Sequence, residues 1–110
     1  MRNFQMTVVE RREPFEHEVQ THPFEAAWAS EAIFFVRVEA IPDGTRLDAA
    51  VQMSADGIRW VDEGTTFPTM SAAGDYAVKV SHFGGWLRLA GRLQGADPAA
   101  TLTVQLALKE

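Results

Sequence analysis

The sequence predicts an all-β domain, an antiparallel β-sandwich or jelly roll of about seven to nine short strands. Three observations carry that expectation. Apolar and polar residues alternate with a period of two in segment after segment, most plainly in Leu47, Ala49, Val51 and Met53 set against Asp48, Ala50, Gln52 and Ser54. Turn chemistry separates the segments: Pro42-Asp43-Gly44, Ala55-Asp56-Gly57 and Gly95-Ala96-Asp97-Pro98. No segment carries a convincing helical period.

Taken in order, Phe4 to Arg12 places Phe4, Met6 and Val8 on one face and Gln5, Thr7 and Val9 on the other, and Pro14 stops it. Residues 1–14 are therefore an edge strand or an N-terminal arm able to pair with a neighbouring molecule, and in the second case their deletion weakens assembly more than monomer stability. His17 to Thr21 is a shorter extended piece with Val19 as its apolar residue and an edge-like flank of Glu16, Glu18 and Gln20. Thr21-His22-Pro23 bends, because a residue before proline is driven out of the helical region. FEAAWAS, residues 24–30, is a short strand or a single turn. Ala32 to Ile41 is β-branched and aromatic, with Phe34, Val36 and Val38 toward the core. Its other face, Ile33, Phe35, Arg37, Glu39 and Ile41, is apolar enough to want a cover.

Leu47 to Asp62 reads as a hairpin with a tight turn at Asp56-Gly57 and a returning strand whose Trp60 enters the core. A short piece around Phe67 is stopped by Pro68. Tyr76, Val78 and Val80 alternate with Ala77 and Lys79, and His82-Phe83-Gly84-Gly85 makes an unusual connection. Trp86 to Leu93 turns Leu87 and Leu89 inward and Trp86, Arg88 and Arg92 outward. Thr101 to Lys109 alternates most cleanly of all, with Leu102, Val104, Leu106 and Leu108 on one side.

Composition narrows the function. The 110 residues form one domain, 1–110, without repeat or linker, and 46% apolar content is enough for a core. Cysteine is absent, so there are no disulfides, thiolate nucleophiles or Cys-based zinc sites. A formal charge of −5 without a Lys/Arg cluster argues against nucleic-acid or membrane partners. No stretch of about eighteen apolar residues exists, and Arg11 and Arg12 interrupt the N-terminus before a signal-peptide core could form. His17, His22 and His82 gather no acidic or sulfur ligands in sequence. Asp56, Asp62 and Glu63 match no calcium-loop spacing, and Ser81-His82 are chain neighbours rather than a catalytic pair. The expectation is therefore a non-enzymatic protein with no catalytic, metal or cofactor site. The surface candidate for a protein interface is Phe83, Trp86, Arg88 and Arg92, because Trp and Arg dominate interface hot spots.

Residues 45–109 also resemble small all-β virion structural proteins of tailed bacteriophages and prophages. The residues carrying this are Gln52, Ser54, Asp56, Gly57 and Trp60; Phe83, Gly84, Leu87 and Arg88; Gly95 and Pro98; then Leu106, Leu108 and Lys109. The resemblance implies a capsid decoration protein or a small tail or connector component. Such a protein would be made in the host cytoplasm, reside in the virion, and self-associate or bind capsid or tail subunits. It implies no catalytic residues. The alternative is a carbohydrate-binding or adhesive module using Trp28, Trp60 or Trp86 as a stacking platform.

Overall fold

The computed structural model describes residues 3–110, so Met1 and Arg2 of the expected N-terminal arm lie outside the described residues. Nine strands form: β1 (Phe4–Glu16), β2 (Glu18–Gln20), β3 (Phe24–Glu25), β4 (Glu31–Ala40), β5 (Arg46–Ser54), β6 (Val61–Thr66), β7 (Gly74–Ser81), β8 (Trp86–Gln94) and β9 (Ala99–Lys109). They pair antiparallel in two sheets. Sheet A runs β1-β9-β4-β7, and sheet B runs β2-β8-β5-β6 with β3 also on β8.

β2 and β3 are two halves of one interrupted strand, for both lie along β8, from Glu18↔Arg92 to Glu25↔Trp86. Pro23 lacks an amide proton, so the ladder breaks at Thr21-His22-Pro23. Thr21 spans the gap, donating its N–H to the Leu89 carbonyl at 3.0 Å and accepting the Leu89 N–H on its hydroxyl at 2.9 Å. With that pair counted once, the chain passes between the sheets in the order of an eight-stranded jelly roll. Residues 24–30 are thus both a strand and a turn: two strand residues, then a bend closed by Ala29 N–H on the Ala26 carbonyl at 3.1 Å.

The core lies between the sheets. Phe34, Val36 and Val38 of β4 and Leu102, Val104, Leu106 and Leu108 of β9 face Leu47 and Val51 of β5, Leu87 and Leu89 of β8, and Val19 of β2. Phe67 and Met70 close its side. Met70 sits outside the strands yet exchanges both backbone hydrogen bonds with Leu47, at 2.8 and 2.9 Å.

β1 departs from a simple amphipathic strand. Phe4, Met6 and Val8 stand opposite Lys109, Ala107 and Gln105, the outward residues of β9, and therefore point to solvent. Two register slips then follow, between Val8 and Glu10 and between Glu10 and Glu13. Alternation already sets Val9 on the core; the first slip turns Glu10 inward beside it, and after the second Phe15 packs inward opposite Ala100. The Glu10 carboxylate accepts the His22 backbone N–H and faces the His22 ring Nδ1, each at 2.8 Å. This ties the edge of sheet A to the break in sheet B.

Candidate protein interface

One end of the sandwich gathers the N-terminus of β1, the C-termini of β5, β7 and β9, and the N-termini of β4 and β8. Ser54 pairs with Trp86, Glu31 pairs with both Ser81 and Lys109, and Phe4 pairs with Lys109. The 55–60 loop between β5 and β6 crowns this end. Its conformation follows from two side chains. The Ser54 hydroxyl accepts the Gly57 N–H at 2.8 Å and donates to Asp56 Oδ1 at 3.0 Å. Asp56 Oδ1 in turn accepts the N–H groups of Ile58 and Arg59 at 2.8 and 3.0 Å. These bonds, Arg59 first, then Ile58 and the Ser54 hydroxyl, hold the Asp56 carboxyl below its ordinary value. Because the folded value lies below the unfolded one, the carboxylate's stabilising contribution is complete above the unfolded value and disappears as pH falls through the folded value. The loop is therefore expected to loosen only on the acid side of the ordinary aspartate range. Asp56→Ala should remove that step from a pH titration followed by tryptophan fluorescence, since Trp60 and Trp86 border the loop.

Gly57, at φ +80°, lays its Cα against the Trp86 indole, and a Cβ there would sit 3.3 Å from the ring. Trp86 is thus half-buried beneath the loop it supports. Trp60 is not in the core, contrary to the expectation. The Asp56 bonds prolong the loop to residue 60, and β6 resumes with Val61 opposite Met53 and Asp62 opposite Gln52. Trp60 therefore shares the outward phase of Asp62 and stacks on Arg88, whose Cζ lies 4.3 Å from the ring centroid. Such a contact contributes about 0.5–1 kcal/mol when exposed and more when dry. Arg88 also donates Nε–H to Gln52 Oε1 at 2.9 Å, and Gln52 Nε2 donates to Asp62 Oδ1 at 3.2 Å. Burial draws the Arg88 guanidinium below its ordinary value, still far into the charged range.

The four expected interface residues do not form one patch. Trp86 and Arg88 are neighbours on the outer face of sheet B. Phe83 packs half-buried against the core. Arg92 lies six positions along β8, roughly 20 Å from Trp86, and meets Glu18 at 3.6 Å. Nor do the tryptophans make a stacking platform: Trp28 packs on the core, Arg88 covers Trp60 and Gly57 covers Trp86. The apolar side chains left in water are instead Ile58, 79% exposed, Val61 at 57% and Phe4 at 62%, followed down β1 by Met6 and Val8. All belong to the same half of the sandwich. Strand alternation made the β1 residues legible in the sequence, but not which way they face. Ile58 gave no signal, because its exposure comes from a loop bent by hydrogen bonds.

The molecule is therefore a jelly-roll sandwich with one apolar end. No protein-family model matches the chain, and no curated protein matches it significantly. Solved structures share its fold. The SPBc2 prophage-derived protein YomS is 7% identical with a TM-score of 0.62, over 100% of this chain and 96% of that one. The PBSX exported protein XepA is 8% identical with a TM-score of 0.58, over 98% of this chain and 36% of that one. The VP2 subviral particle of infectious bursal disease virus is 12% identical with a TM-score of 0.62, over 98% of this chain and 32% of that one. The chain thus spans nearly all of the first and about a third of the other two.

Proposed function

We propose that this protein is a non-enzymatic structural component of a phage-like particle, a capsid decoration protein or a small tail or connector component. In this reading it docks on capsid or tail subunits, or on further copies of itself, through the apolar end of its sandwich. The observation that carries the reading is the exposure of Ile58, Val61 and Phe4 at one end of the sandwich, Phe4 on the edge strand of sheet A and Val61 on the edge strand of sheet B. Apolar groups that stay in water gain about 25 cal/mol per Å² when a partner covers them. The likeness of fold to prophage and viral particle proteins supports the setting. Trp86, Arg88 and Phe83 hold the rim in shape, and Arg92 extends the contact down sheet B. A rim of this size is small for a stable pair in isolation, and a symmetric particle multiplies it.

The test is the double substitution Ile58→Asp and Val61→Asp, with the protein co-expressed beside its neighbouring genes and the particles purified. Incorporation should fall by about tenfold or more. The isolated variant should keep its stability within about 0.5 kcal/mol, because both positions are exposed. Undiminished incorporation would refute this docking surface.

A further inference from the structure

Away from the apolar end, the outer face of sheet A carries a trough of about 480 Å³ running from β1 across β9 and β4 to β7. Its chemistry comes from a strand irregularity. Consecutive residues of a regular strand point to opposite faces, yet Arg11 and Arg12 both line this trough. They do so because β1 slips register between Glu10 and Glu13, with Arg12 at φ +46°, a conformation L-residues seldom adopt. The bulge is held from below: the Arg12 N–H donates to Thr103 Oγ1 at 3.1 Å, and the Thr103 hydroxyl donates to Glu39 Oε2 at 2.7 Å. Across the trough Arg37 Nε donates to Asp75 Oδ1 at 2.8 Å, and this bond raises the Arg37 guanidinium above its ordinary value. Each acid of the trough therefore already has a partner. Among the described residues neither Arg11 nor Arg12 makes an ion pair. The half-buried ring of Phe35, outward beside Gln105, also lines the trough; Tyr76 borders it from β7 but stands opposite Val36 and packs toward the core.

From these groups we infer a binding site for a short acidic oligosaccharide of the uronic-acid class. Two unpaired guanidiniums, planar forks matched to carboxylates, would take its acid groups. Glu39 and Asp75 keep lone pairs free to accept sugar hydroxyls, and the Gln105 amide both donates and accepts. The Phe35 ring offers a face for a sugar ring. An acidic peptide would use the arginines in the same way, but it carries no row of hydroxyls to donate to Glu39 and Asp75. The site does not depend on the docking role; it meets the exposed apolar row of β1 at Val8, and Phe4, Ile58 and Val61 do not line it.

The full-length protein is titrated calorimetrically with trigalacturonate, with neutral galactotriose and with a glutamate-rich peptide. Trigalacturonate is expected to bind saturably, and at least about tenfold more tightly than either of the others. Arg11→Ala with Arg12→Ala should weaken it by about tenfold or more, and raised salt should weaken it several-fold. Arg11→Glu alone, which leaves the strained residue in place, should have the same sign of effect and keeps the test valid if the double variant folds poorly. Absence of saturable binding, indifference to Arg11→Glu, or equal binding of the peptide would each overturn the assignment. Particle incorporation of Arg11→Glu should be unchanged, so this site and the docking rim fail separately.

Discussion

A chain lacking residues 1–14 is expected to lose cooperative folding, not merely the capacity to assemble. Phe4 to Pro14 is most of β1, which pairs along β9 from Phe4↔Lys109 to Glu16↔Ala99. β9 is an inner strand of sheet A with its Leu102, Leu106 and Leu108 side chains fully buried, and the deletion would turn it into an exposed edge. Each lost ladder hydrogen bond costs about 1 kcal/mol, and loss of the Val9 packing adds about 1.5–3 kcal/mol. Removing Glu10 also loses its hydrogen bond to the His22 N–H, a further cost of about 1 kcal/mol. Together these reach the roughly 5–15 kcal/mol by which a domain is stable. The check is a thermal melt by circular dichroism. A cooperative transition within a few degrees of the full chain would instead mean that β1 is a detachable arm.

Gly85→Ala is expected to have the largest effect of any single methyl group added to the protein. Gly85 sits at φ +77°, and a Cβ there would lie 2.2 Å from the Ser54 carbonyl oxygen. The left-handed conformation costs an L-residue about 1–2 kcal/mol, and the clash with backbone adds about 1–3 kcal/mol. A loss of about 3 kcal/mol corresponds to a fall in melting temperature of roughly 12–24 °C for a domain near this size. Gly57→Ala separates the two causes. It shares the positive φ, but its Cβ would meet only the Trp86 ring at 3.3 Å. It should therefore cost about 1–2 kcal/mol, the conformational part alone. Equal losses at both glycines would mean that the close approach of Gly85 to Ser54 contributes nothing.

The strands of the core could be read directly because alternation survives wherever pairing is regular. Phe34, Val36 and Val38 occupy the buried face that their period assigns, and so do Leu102, Val104, Leu106 and Leu108. Pattern reading failed where a bulge or a side-chain hydrogen bond changed the phase. Trp60 looked like a core residue because the return of the hairpin was counted from a tight turn. Asp56, by capturing two further N–H groups, delayed that return. Glu10 gave no sign of burial among its charged neighbours, since only the register slip turns it inward to His22. The interface candidates were legible in part. The outward phase of Trp86 and Arg88 was correct, but whether an outward residue meets solvent or its own loop depends on contacts distant in sequence. The apolar outer face foreseen for β4 meets no further layer among the described residues: Ile33 and Phe35 stay half-buried on the outside of sheet A, Phe35 in the trough.

The claim that the apolar end is the docking surface is tested most directly by hydroxyl-radical footprinting of the protein free and bound in purified particles. Ile58, Val61 and Phe4 should each be oxidised about fivefold or more slowly in the particle, as expected where an interface excludes water, while Phe35 in the arginine trough should react at its free rate. Unchanged oxidation of Ile58 and Val61, with protection appearing instead on the outer face of sheet A around Phe35, would contradict the account.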